Sequence, residues 1–384
     1  MYSEIKNINV SELKRDQATQ IIESCVHCGF CLATCPTYQL LGDELDSPRG
    51  RIYLIKSALE QNQFSLKSLS HMDRCLTCRS CETTCPSGVE YGQLLEIGRD
   101  LMESKRGKLQ ALYRYVVRKT LLTPFIFRPL GYFYRHSKIS SKSVKPKKID
   151  AKVLLIAGCV QPSLAPNINH SIKNILSKLN VEVLETSQAQ CCGALDQHLA
   201  ASSDAMKKVK RNIDIWTQKL ESGFDSIISS ASGCGVMVKD YPKLFKSSDP
   251  YFQKALFVSS KTKDIAEFLA TKDLSALHLS EINVTYHEPC TMQHGQELSG
   301  LVESILSQFG YIKKTVKDSH ICCGSAGAYS IFESKISNQL RNNKIENLNA
   351  SQPNMIVTSN IGCLMHLQKG SSIPVKHWVE LLDV

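Results

Sequence analysis

The 16 cysteines of this chain fall into four sets of four, and two of these sets are tight runs that end at a proline. The first run reads Cys25-Val-His-Cys-Gly-Phe-Cys-Leu-Ala-Thr-Cys-Pro36, and the second reads Cys75-Leu-Thr-Cys-Arg-Ser-Cys-Glu-Thr-Thr-Cys-Pro86. The second run repeats the cysteine spacing of the first with a shift of 50 residues. Because three cysteines at successive intervals of three can wrap one small inorganic core, the repeat predicts two similar metal centres.

This spacing is that of bacterial ferredoxins with two [4Fe–4S] clusters, in which the fourth cysteine of each run binds the other cluster. Disulfides would suit a small secreted protein, and nothing resembling a signal peptide opens the chain. Zinc sites favour CxxC pairs separated by a longer loop. The predicted ligands are Cys25, Cys28, Cys31 and Cys85 for the first cluster, and Cys75, Cys78, Cys81 and Cys35 for the second.

The remaining eight cysteines form a second repeat with a longer period. Each copy has a cysteine, then a Cys-Cys-Gly sequence 32 residues later, then a last cysteine about 40 residues further on. Two matching copies predict two metal-binding modules, whereas the alternative is buried, inert cysteine. The predicted metal ligands are Cys159, Cys191, Cys192 and Cys234 in the first copy, and Cys290, Cys322, Cys323 and Cys363 in the second.

Short apolar runs alternate with helical patterns in both copies, which predicts parallel α/β units with sites outside the carboxyl ends of the strands. The expected fold class is a multidomain α+β and α/β protein, with an α-helical two-cluster ferredoxin-like domain before two repeated α/β modules. Predicted strands cover 152–157, 181–184, 226–229, 282–286, 311–316 and 355–358, and predicted helices cover 169–179, 199–220, 298–309 and 334–348. The expected domains are 1–104 (ferredoxin-like), 105–150 (basic segment and linker), 151–250 (first module), 251–281 (connector) and 282–384 (second module).

The net charge of +10 is concentrated in residues 104–149, which contain 13 Lys and Arg and no Asp or Glu. Tyr, Phe and Leu alternate with these cations from 111 to 134, which predicts contact with an anionic membrane surface. The alternative is a helix packed on its own protein with a solvated basic face. Residues 137–148 are typical of a flexible linker. No nucleic-acid-binding motif accompanies the charge, so no nucleic acid is expected as a partner.

Two further features concern compartment and cofactors. No uninterrupted apolar run reaches the length of a membrane-spanning helix, and abundant reduced cysteine fits a cytoplasmic protein. The expected location is therefore the cytoplasm, peripheral on the inner face of the cytoplasmic membrane. The sequence contains neither a G-x-G-x-x-G nor a G-x-x-x-x-G-K-[ST] motif, so we expect no flavin or NAD on this chain and infer a partner subunit.

Residues 25–56, 73–88, 231–235, 318–327 and 360–363 closely resemble the iron–sulfur subunits of bacterial glycolate oxidase. The resemblance implies that flavin-containing partner subunits oxidise glycolate, and that this chain passes electrons towards a membrane quinone without a substrate-oxidising site of its own. The alternative is an iron–sulfur subunit of the heterodisulfide reductase, lactate dehydrogenase or glycerol-3-phosphate dehydrogenase type. Each Cys-Cys-Gly module here has four cysteines, where heterodisulfide reductase modules with a noncubane cluster have five. Further iron–sulfur centres, for example cubanes, or zinc are therefore the candidates for these modules.

Three arginines lie close in sequence to the predicted cluster ligands. Arg49 and Arg51 follow Pro48, and Arg74 precedes Cys75. A cation beside a cluster favours its reduced, more negative form. The alternative for Arg49 and Arg51 is the start of a solvated helix.

Overall fold

The computed structural model describes residues 5, 11–61, 64–136, 146, 148–186, 191–277, 283–310 and 316–383. The chain forms two compact units, which we describe separately. The helical unit comprises 1–118, 195–202 and 320–344, and the sheet unit comprises 119–194, 203–319 and 345–384. The domain boundaries given above stay a prediction.

The elements are numbered in chain order. Those before the first strand are α1 (Glu12–Ser24), α2 (Pro36–Leu41), α3 (Pro48–Gln61), α4 (Leu66–Asp73), α5 (Ser80–Thr83), α6 (Tyr91–Glu103), α7 (Lys108–Leu122) and α8 (Pro124–Phe133). The next are β1 (Ala151–Leu155), α9 (Gln161–Leu164), α10 (Pro166–Lys178), β2 (Val181–Glu185), α11 (Ala194–His198), α12 (Ser202–Glu221), β3 (Ser226–Ser229), α13 (Ser232–Lys239), α14 (Pro250–Lys261), β4 (Thr262–Asp264) and α15 (Ile265–Leu269). The last are β5 (Val284–His287), α16 (Leu301–Ser307), α17 (Tyr329–Phe332), α18 (Ser334–Asn349), β6 (Met355–Thr358), α19 (Ile361–Gln368) and β7 (Val375–His377).

The helical unit is built around α3 and α6, which pack against each other with fully buried Ile55 and Leu94 in the core. The helices approach closely because α6 carries Gly98 at the contact, where a Cβ atom would lie 2.7 Å from the Ile55 side chain. Helix α1 begins at the capping residue Ser11, whose hydroxyl accepts a hydrogen bond from the Lys14 amide. This packing places the ends of the short cysteine loops next to one another.

The sheet unit contains two parallel sheets, with strand orders β2-β1-β3-β4 and β5-β6-β7. The central strands β3 and β6 are buried along their whole length, as expected for parallel strands covered on both faces. The predicted fold class is confirmed, and the predicted strands 226–229 and 355–358 coincide with β3 and β6. The predicted helix at 298–309 is shorter, because it begins only after Gly300, which adopts a left-handed conformation.

Two predicted segments lie outside the described residues, wholly or in large part. These are the strand at 311–316, of which only the last residue is described, and most of the linker at 137–148. Among the helices that the structure describes, none is long and apolar enough to span a membrane.

The cysteines of the sheet unit lie at the carboxyl ends of its strands, as predicted for parallel sheets. Cys234 and Cys363 are each the third residue of a helix, α13 after β3 and α19 after β6. Cys159 follows β1, and Cys290 precedes a π-helical turn at Thr291–Gly295 after β5. The alternation of strand, loop and helix therefore places these thiols at two sheet edges.

Candidate functional site

The helical unit has a cavity lined by the first three cysteines of the first run and the last cysteine of the second run. These are Cys25, Cys28, Cys31 and Cys85, and Cys81, which also lines the second cavity, lies at the boundary. Cys28 is exposed, and the apolar side chains beside it, Val26 and Phe30, are 67% and 62% exposed. Burial raises the pKa of the Cys31 thiol to about 11, so its thiolate needs the compensating charge that a coordinated metal supplies.

A second cavity is lined by the first three cysteines of the second run and the last cysteine of the first. These are Cys35, Cys75, Cys78 and Cys81, all of which are buried. The non-atom space around the two cysteine sets, adjoining solvent included, is similar, about 430 and 370 Å³. The arrangement brings together the crossed sets of cysteines that the sequence pattern predicts.

The two cysteine loops have the same backbone conformation. His27 and Gly29 in the first loop have positive φ values of 55° and 85°, and the equivalent Thr77 and Arg79 in the second have 53° and 62°. Three of these four residues are not glycine, and left-handed conformations are uncommon for such residues. Alternating backbone conformations of this kind turn amide groups towards a bound anion or iron–sulfur core, so the shared strain favours the same type of ligand in both loops.

Tyr91, at the start of α6, lines both cavities together with Pro48 and Cys81. Its buried hydroxyl donates a hydrogen bond to the Cys75 sulfur over 3.7 Å. Burial raises the pKa of Tyr91 well above its usual range, which keeps the hydroxyl protonated as a donor. Tyr91 therefore separates two candidate redox sites and contacts a ligand of one of them.

We expect Tyr91→Phe to lower the midpoint potential of the centre held by Cys75. A hydrogen bond to a ligand sulfur favours the more negative, reduced state, and about 1 kcal/mol of differential stabilisation corresponds to about 40 mV for one electron. Potentiometric titration followed by EPR measures this shift. The signal of the centre at Cys25 is the internal control, and an unchanged Cys75-centre potential would contradict the role of the hydroxyl.

A buried ionic network lies against the second cavity and centres on Asp46. Its carboxylate accepts hydrogen bonds from Arg51 over 3.2 Å and from Arg74 over 2.8 Å, and its Oδ1 lies 2.9 Å from His71 Nδ1. Arg51 is 0% exposed and also donates to Thr37. The solvated-helix alternative is therefore wrong for Arg51, because Asp46 draws this guanidinium into the core.

Arg51 places a fixed positive charge beside the second cavity, which it helps to line. Burial is the largest single influence on the Arg51 guanidinium and acts to lower its pKa. The pKa is nevertheless raised above the usual value by the combined effect of four nearby groups, Cys75, Tyr91, Cys35 and Asp46. Asp43, Asp46 and His71 offer ligand atoms within 4.8 Å of one another. Because Arg51 and Arg74 already pair with Asp46, we interpret this cluster as an ion-pair network and not as a cation site.

The four cysteines of the first Cys-Cys-Gly module come together in the sheet unit. Their thiols lie within hydrogen-bonding reach of one another: Cys159 and Cys192 both donate to Cys191, and Cys192 also lies beside Cys234. The hydrogen bonds that Cys191 accepts from Cys159 and Cys192 lower the pKa of Cys191. The pKa of Cys159 is raised, mainly by the hydrogen bond that it donates to Cys191 and next by its burial. Four converging sulfurs can bind zinc or an iron–sulfur centre.

Two buried side chains fix the Cys191-Cys192 backbone. Tyr241 donates to the Cys192 carbonyl over 2.9 Å, and Asn212 donates to the Cys191 carbonyl over 3.1 Å. Asn212 also donates to the Tyr241 hydroxyl over 3.3 Å. This support holds the adjacent thiols in place, and the sequence interpretation missed both residues because neither lies near a cysteine in the sequence.

The second module is divided between the two units. Cys290 and Cys363 belong to the sheet unit, and the buried Cys322 and Cys323 belong to the helical unit. Gly324, in a left-handed conformation, donates its amide to the Cys322 sulfur over 3.4 Å. A Cβ atom at Gly324 would lie 2.5 Å from the carbonyl oxygen of Ser337 in helix α18. This position therefore requires glycine for two reasons, the close approach of α18 and the left-handed backbone conformation.

Within the sheet unit, the cysteine-bearing ends of the two repeats are joined by hydrogen bonds. The hydroxyl oxygens of Ser232 and Thr291 lie 2.6 Å apart, and Asn360 donates to the Ser232 hydroxyl over 3.0 Å. Ser232 is two residues before Cys234, and Thr291 directly follows Cys290. The start of α13 is therefore fixed against the turn after Cys290.

The basic tract of residues 104–149 is partly neutralised within the protein. In the helical unit, Arg106 pairs with Asp73 over 2.7 Å, and Arg118 pairs with Asp196 over 2.6 Å. Both arginines are buried. Part of the basic tract therefore packs on the protein through buried ion pairs and not with a solvated basic face, although α7 also exposes Leu109 and Val116, and α8, in the sheet unit, exposes Phe125 and Phe133 to 92% and 83%.

Comparisons with known proteins match the two types of cysteine repeat. The family described as "4Fe-4S dicluster domain" matches residues 21–89, and the "Cysteine-rich domain" family matches 153–239 and 284–368. The chain is 44% identical to "Glycolate oxidase iron-sulfur subunit" of Escherichia coli K12, over 96% of this chain and 95% of that protein. It is 30% identical to "Probable glycolate oxidase iron-sulfur subunit" of Bacillus subtilis 168 (96% and 93% covered), and 24% identical to "Lactate utilization protein A" of the same strain (60% and 99% covered).

Proposed function

The chain belongs to the family of glycolate oxidase iron–sulfur subunits, and we propose that it carries electrons from a reduced flavin on a partner subunit to a membrane quinone. The observation that carries this proposal is the pair of adjacent cysteine-lined cavities that share Tyr91 and Cys81. One cavity has an exposed cysteine and the other is lined by buried cysteines. An exposed centre next to an internal one suits entry of an electron from a partner followed by transfer within the chain.

The cysteines of each cavity fit the group proposed for it, since thiolates are the ligands of [4Fe–4S] clusters. Bound clusters would supply one-electron steps, which a two-electron flavin donor requires. The proposed ligand sets are Cys25, Cys28, Cys31 and Cys85; Cys35, Cys75, Cys78 and Cys81; Cys159, Cys191, Cys192 and Cys234; and Cys290, Cys322, Cys323 and Cys363.

The surrounding residues favour the reduced state of a centre bound at the second cavity. Arg51 contributes a permanent positive charge, and Tyr91 contributes a hydrogen bond to the Cys75 sulfur. Both act more strongly in a buried site than in water, because the local dielectric constant is lower. The positive charge of Arg51 and the Tyr91 donor thus stabilise added negative charge, which is what an electron acceptor requires.

In the complex reconstituted with its flavin subunits, we expect Cys28→Ser to abolish most glycolate:quinone turnover, because the proposed entry centre loses a ligand. Ser87→Ala, at a non-cysteine residue lining the same cavity, is the matched control and should retain activity. Quinone reduction and iron content are measured in parallel. Full turnover by a Cys28→Ser complex that lacks the corresponding iron would exclude this centre from the electron path.

We propose that α8 holds the protein at the membrane surface. Phe125, Ile126 and Phe133 are exposed apolar side chains, and the exposed Arg128 lies between them in sequence. The helix is fixed to the sheet unit by the buried Phe127 and by Gly131, where a Cβ would lie 2.8 Å from Ser163. An anchored helix with outward-facing aromatic rings and a cation suits the interface of an anionic bilayer.

Replacing Phe125 and Phe133 together by serine should therefore weaken binding to vesicles that contain anionic phospholipid. Complete burial of one such ring is worth about 1.5–3 kcal/mol, so partial insertion of two rings predicts a loss of binding of at least about tenfold. Co-sedimentation measures this loss. Tyr53→Ser, at an exposed aromatic residue of α3, is the control, and equal effects of the two changes would argue against docking through α8.

A further inference from the structure

The loop that follows Cys322-Cys323-Gly324 contacts the backbone directly before Cys75, within the helical unit. Tyr329, the first residue of α17, is 8% exposed, and its hydroxyl donates a hydrogen bond to the Arg74 carbonyl over 3.1 Å. Arg74 directly precedes the ligand Cys75, and its side chain binds Asp46. One tyrosine thus connects the Cys-Cys-Gly loop of the second module to the backbone that holds the cavity.

The electrostatic surroundings of Tyr329 also include both sets of cysteines. Burial is the main cause that raises the pKa of its hydroxyl, followed by the Glu333 carboxylate, and Cys75 and Cys322 both add to the effect. Arg51 opposes it. The hydroxyl therefore remains a donor, and it lies within electrostatic range of one proposed ligand from each centre.

The Cys322 loop is held firmly on this side of the helical unit. The Phe332 ring lies under the Arg114 guanidinium at 5.0 Å and edge-on to Tyr113 at 5.6 Å. The Ser337 hydroxyl donates to the Gly324 carbonyl over 2.7 Å. Contacts on both sides of Tyr329 thus fix its position, so the link to Arg74 is part of a packed structure.

We propose that electrons leave the ferredoxin-type pair through the Cys75 centre and pass next to the second Cys-Cys-Gly centre at Cys322 and Cys323, with Tyr329 as the positioning residue between them. The proposal rests on the proposed function and gives it an order of centres. Because Cys28 is exposed, the Cys25 site is the one proposed to receive the electron from the partner subunit. The Cys75 site, whose cysteines are buried, is proposed to receive it next. A centre bound at Cys75 would be oxidised by one electron and a centre bound at Cys322 and Cys323 would be reduced by it, without bond or proton transfer; the reduced flavin of the partner subunit would supply the electron.

The test is spin–spin broadening of the Cys75-centre EPR signal in the reduced, iron-loaded full chain. We expect more broadening in the unmodified protein than the adjacent Cys25 centre alone causes, and loss of this additional part when Cys322 and Cys323 are both replaced by serine. Replacing Cys191 and Cys192 by serine in the first module is the matched control and should leave the broadening unchanged. The reverse pattern, or no additional broadening in a protein with all its iron centres, would overturn the proposed order.

The role of Tyr329 is tested separately by freeze-quench EPR after rapid photoreduction of the same chain. Tyr329→Leu should slow the transfer of the electron from the Cys75 centre to the second module's centre, whereas Tyr53→Leu, at an exposed site in the same unit, should not. Tyr329→Phe removes only the hydroxyl bond to the Arg74 carbonyl and should also slow the transfer, though less than Tyr329→Leu, which covers the case in which the leucine variant does not fold. An unchanged rate in a folded, iron-loaded variant of either kind would refute the role of Tyr329.

These outcomes are distinct from failure of the proposed function. A purified chain without iron at Cys25 and Cys75 would refute the proposed function itself. An iron-loaded chain whose second module contains zinc would leave the ferredoxin-type pair in place and overturn only the onward step.

Discussion

Cys85→Ser is expected to remove the same EPR signal as Cys28→Ser, although the two residues belong to different cysteine runs. This result is expected because Cys85 lines the cavity formed by Cys25, Cys28 and Cys31. Loss of one thiolate from a four-ligand cluster should cost the cluster itself, or about four iron atoms per chain. Iron and sulfide analysis under strict anaerobiosis, together with EPR of the reduced protein, measures the loss.

Cys35→Ser provides the reciprocal comparison. Cys35 lines the cavity of Cys75, Cys78 and Cys81, so its replacement should remove the signal that Cys78→Ser removes. All four variants replace a cysteine by serine. The Cys35 and Cys78 variants are therefore the control for the Cys85 and Cys28 variants, and the reverse also holds. If Cys35→Ser instead removed the Cys28 signal, the ligands would come from within each run and the crossed arrangement would be refuted.

Asp46→Ala is expected to destabilise the helical unit by about 3–5 kcal/mol, because it leaves the buried Arg51 guanidinium without its ion-pair partner. The same carboxylate also pairs with Arg74, so its removal takes one ion-pair partner from both guanidinium groups. Unfolding by denaturant, followed through the loss of iron–sulfur absorbance, measures the shift in midpoint. Asp16→Ala, at an exposed residue of α1, is the control and should change stability by no more than about 0.5 kcal/mol.

Asp46→Asn refines this prediction. The amide keeps an oxygen acceptor for one guanidinium but removes the negative charge, so its effect should lie between those of the control and Asp46→Ala. It should also raise the midpoint potential of the Cys75 centre, because Arg51 then acts on that centre without a compensating anion. Wild-type stability in Asp46→Ala would show that the network contributes no net stabilisation.

Cysteine spacing was informative because the chemistry that it encodes is local. Three thiols within seven residues form a loop whatever the rest of the chain does, and the repeat shows where the second loop lies. The buried strands β3 and β6 were equally predictable, because each has a β-branched apolar pair at its centre, Ile227-Ile228 and Ile356-Val357, and short runs of this kind between turn residues favour a buried strand. The fold class followed from the alternation of such runs with helical patterns.

The environment of the sites could not be predicted in the same way. Arg51 has the spacing of a residue at the start of a surface helix, and its burial depends on Asp46 and on the backbone carbonyl of His71. Tyr329 is far in sequence from Arg74, and only tertiary packing brings the two together. Charges and hydrogen bonds that tune a redox centre come from distant segments, for which a single sequence has no local pattern.

The helical unit is discontinuous in sequence, and this has a consequence for biosynthesis. Its buried Arg118 pairs with Asp196, and its Tyr329 binds Arg74, so the unit cannot reach its final packing until residues up to about 344 have left the ribosome. A fragment that stops at residue 118 would keep all eight thiols of the Pro-terminated runs and still lack these two contacts. Attempts to produce the electron-entry portion alone should therefore yield an aggregation-prone polypeptide.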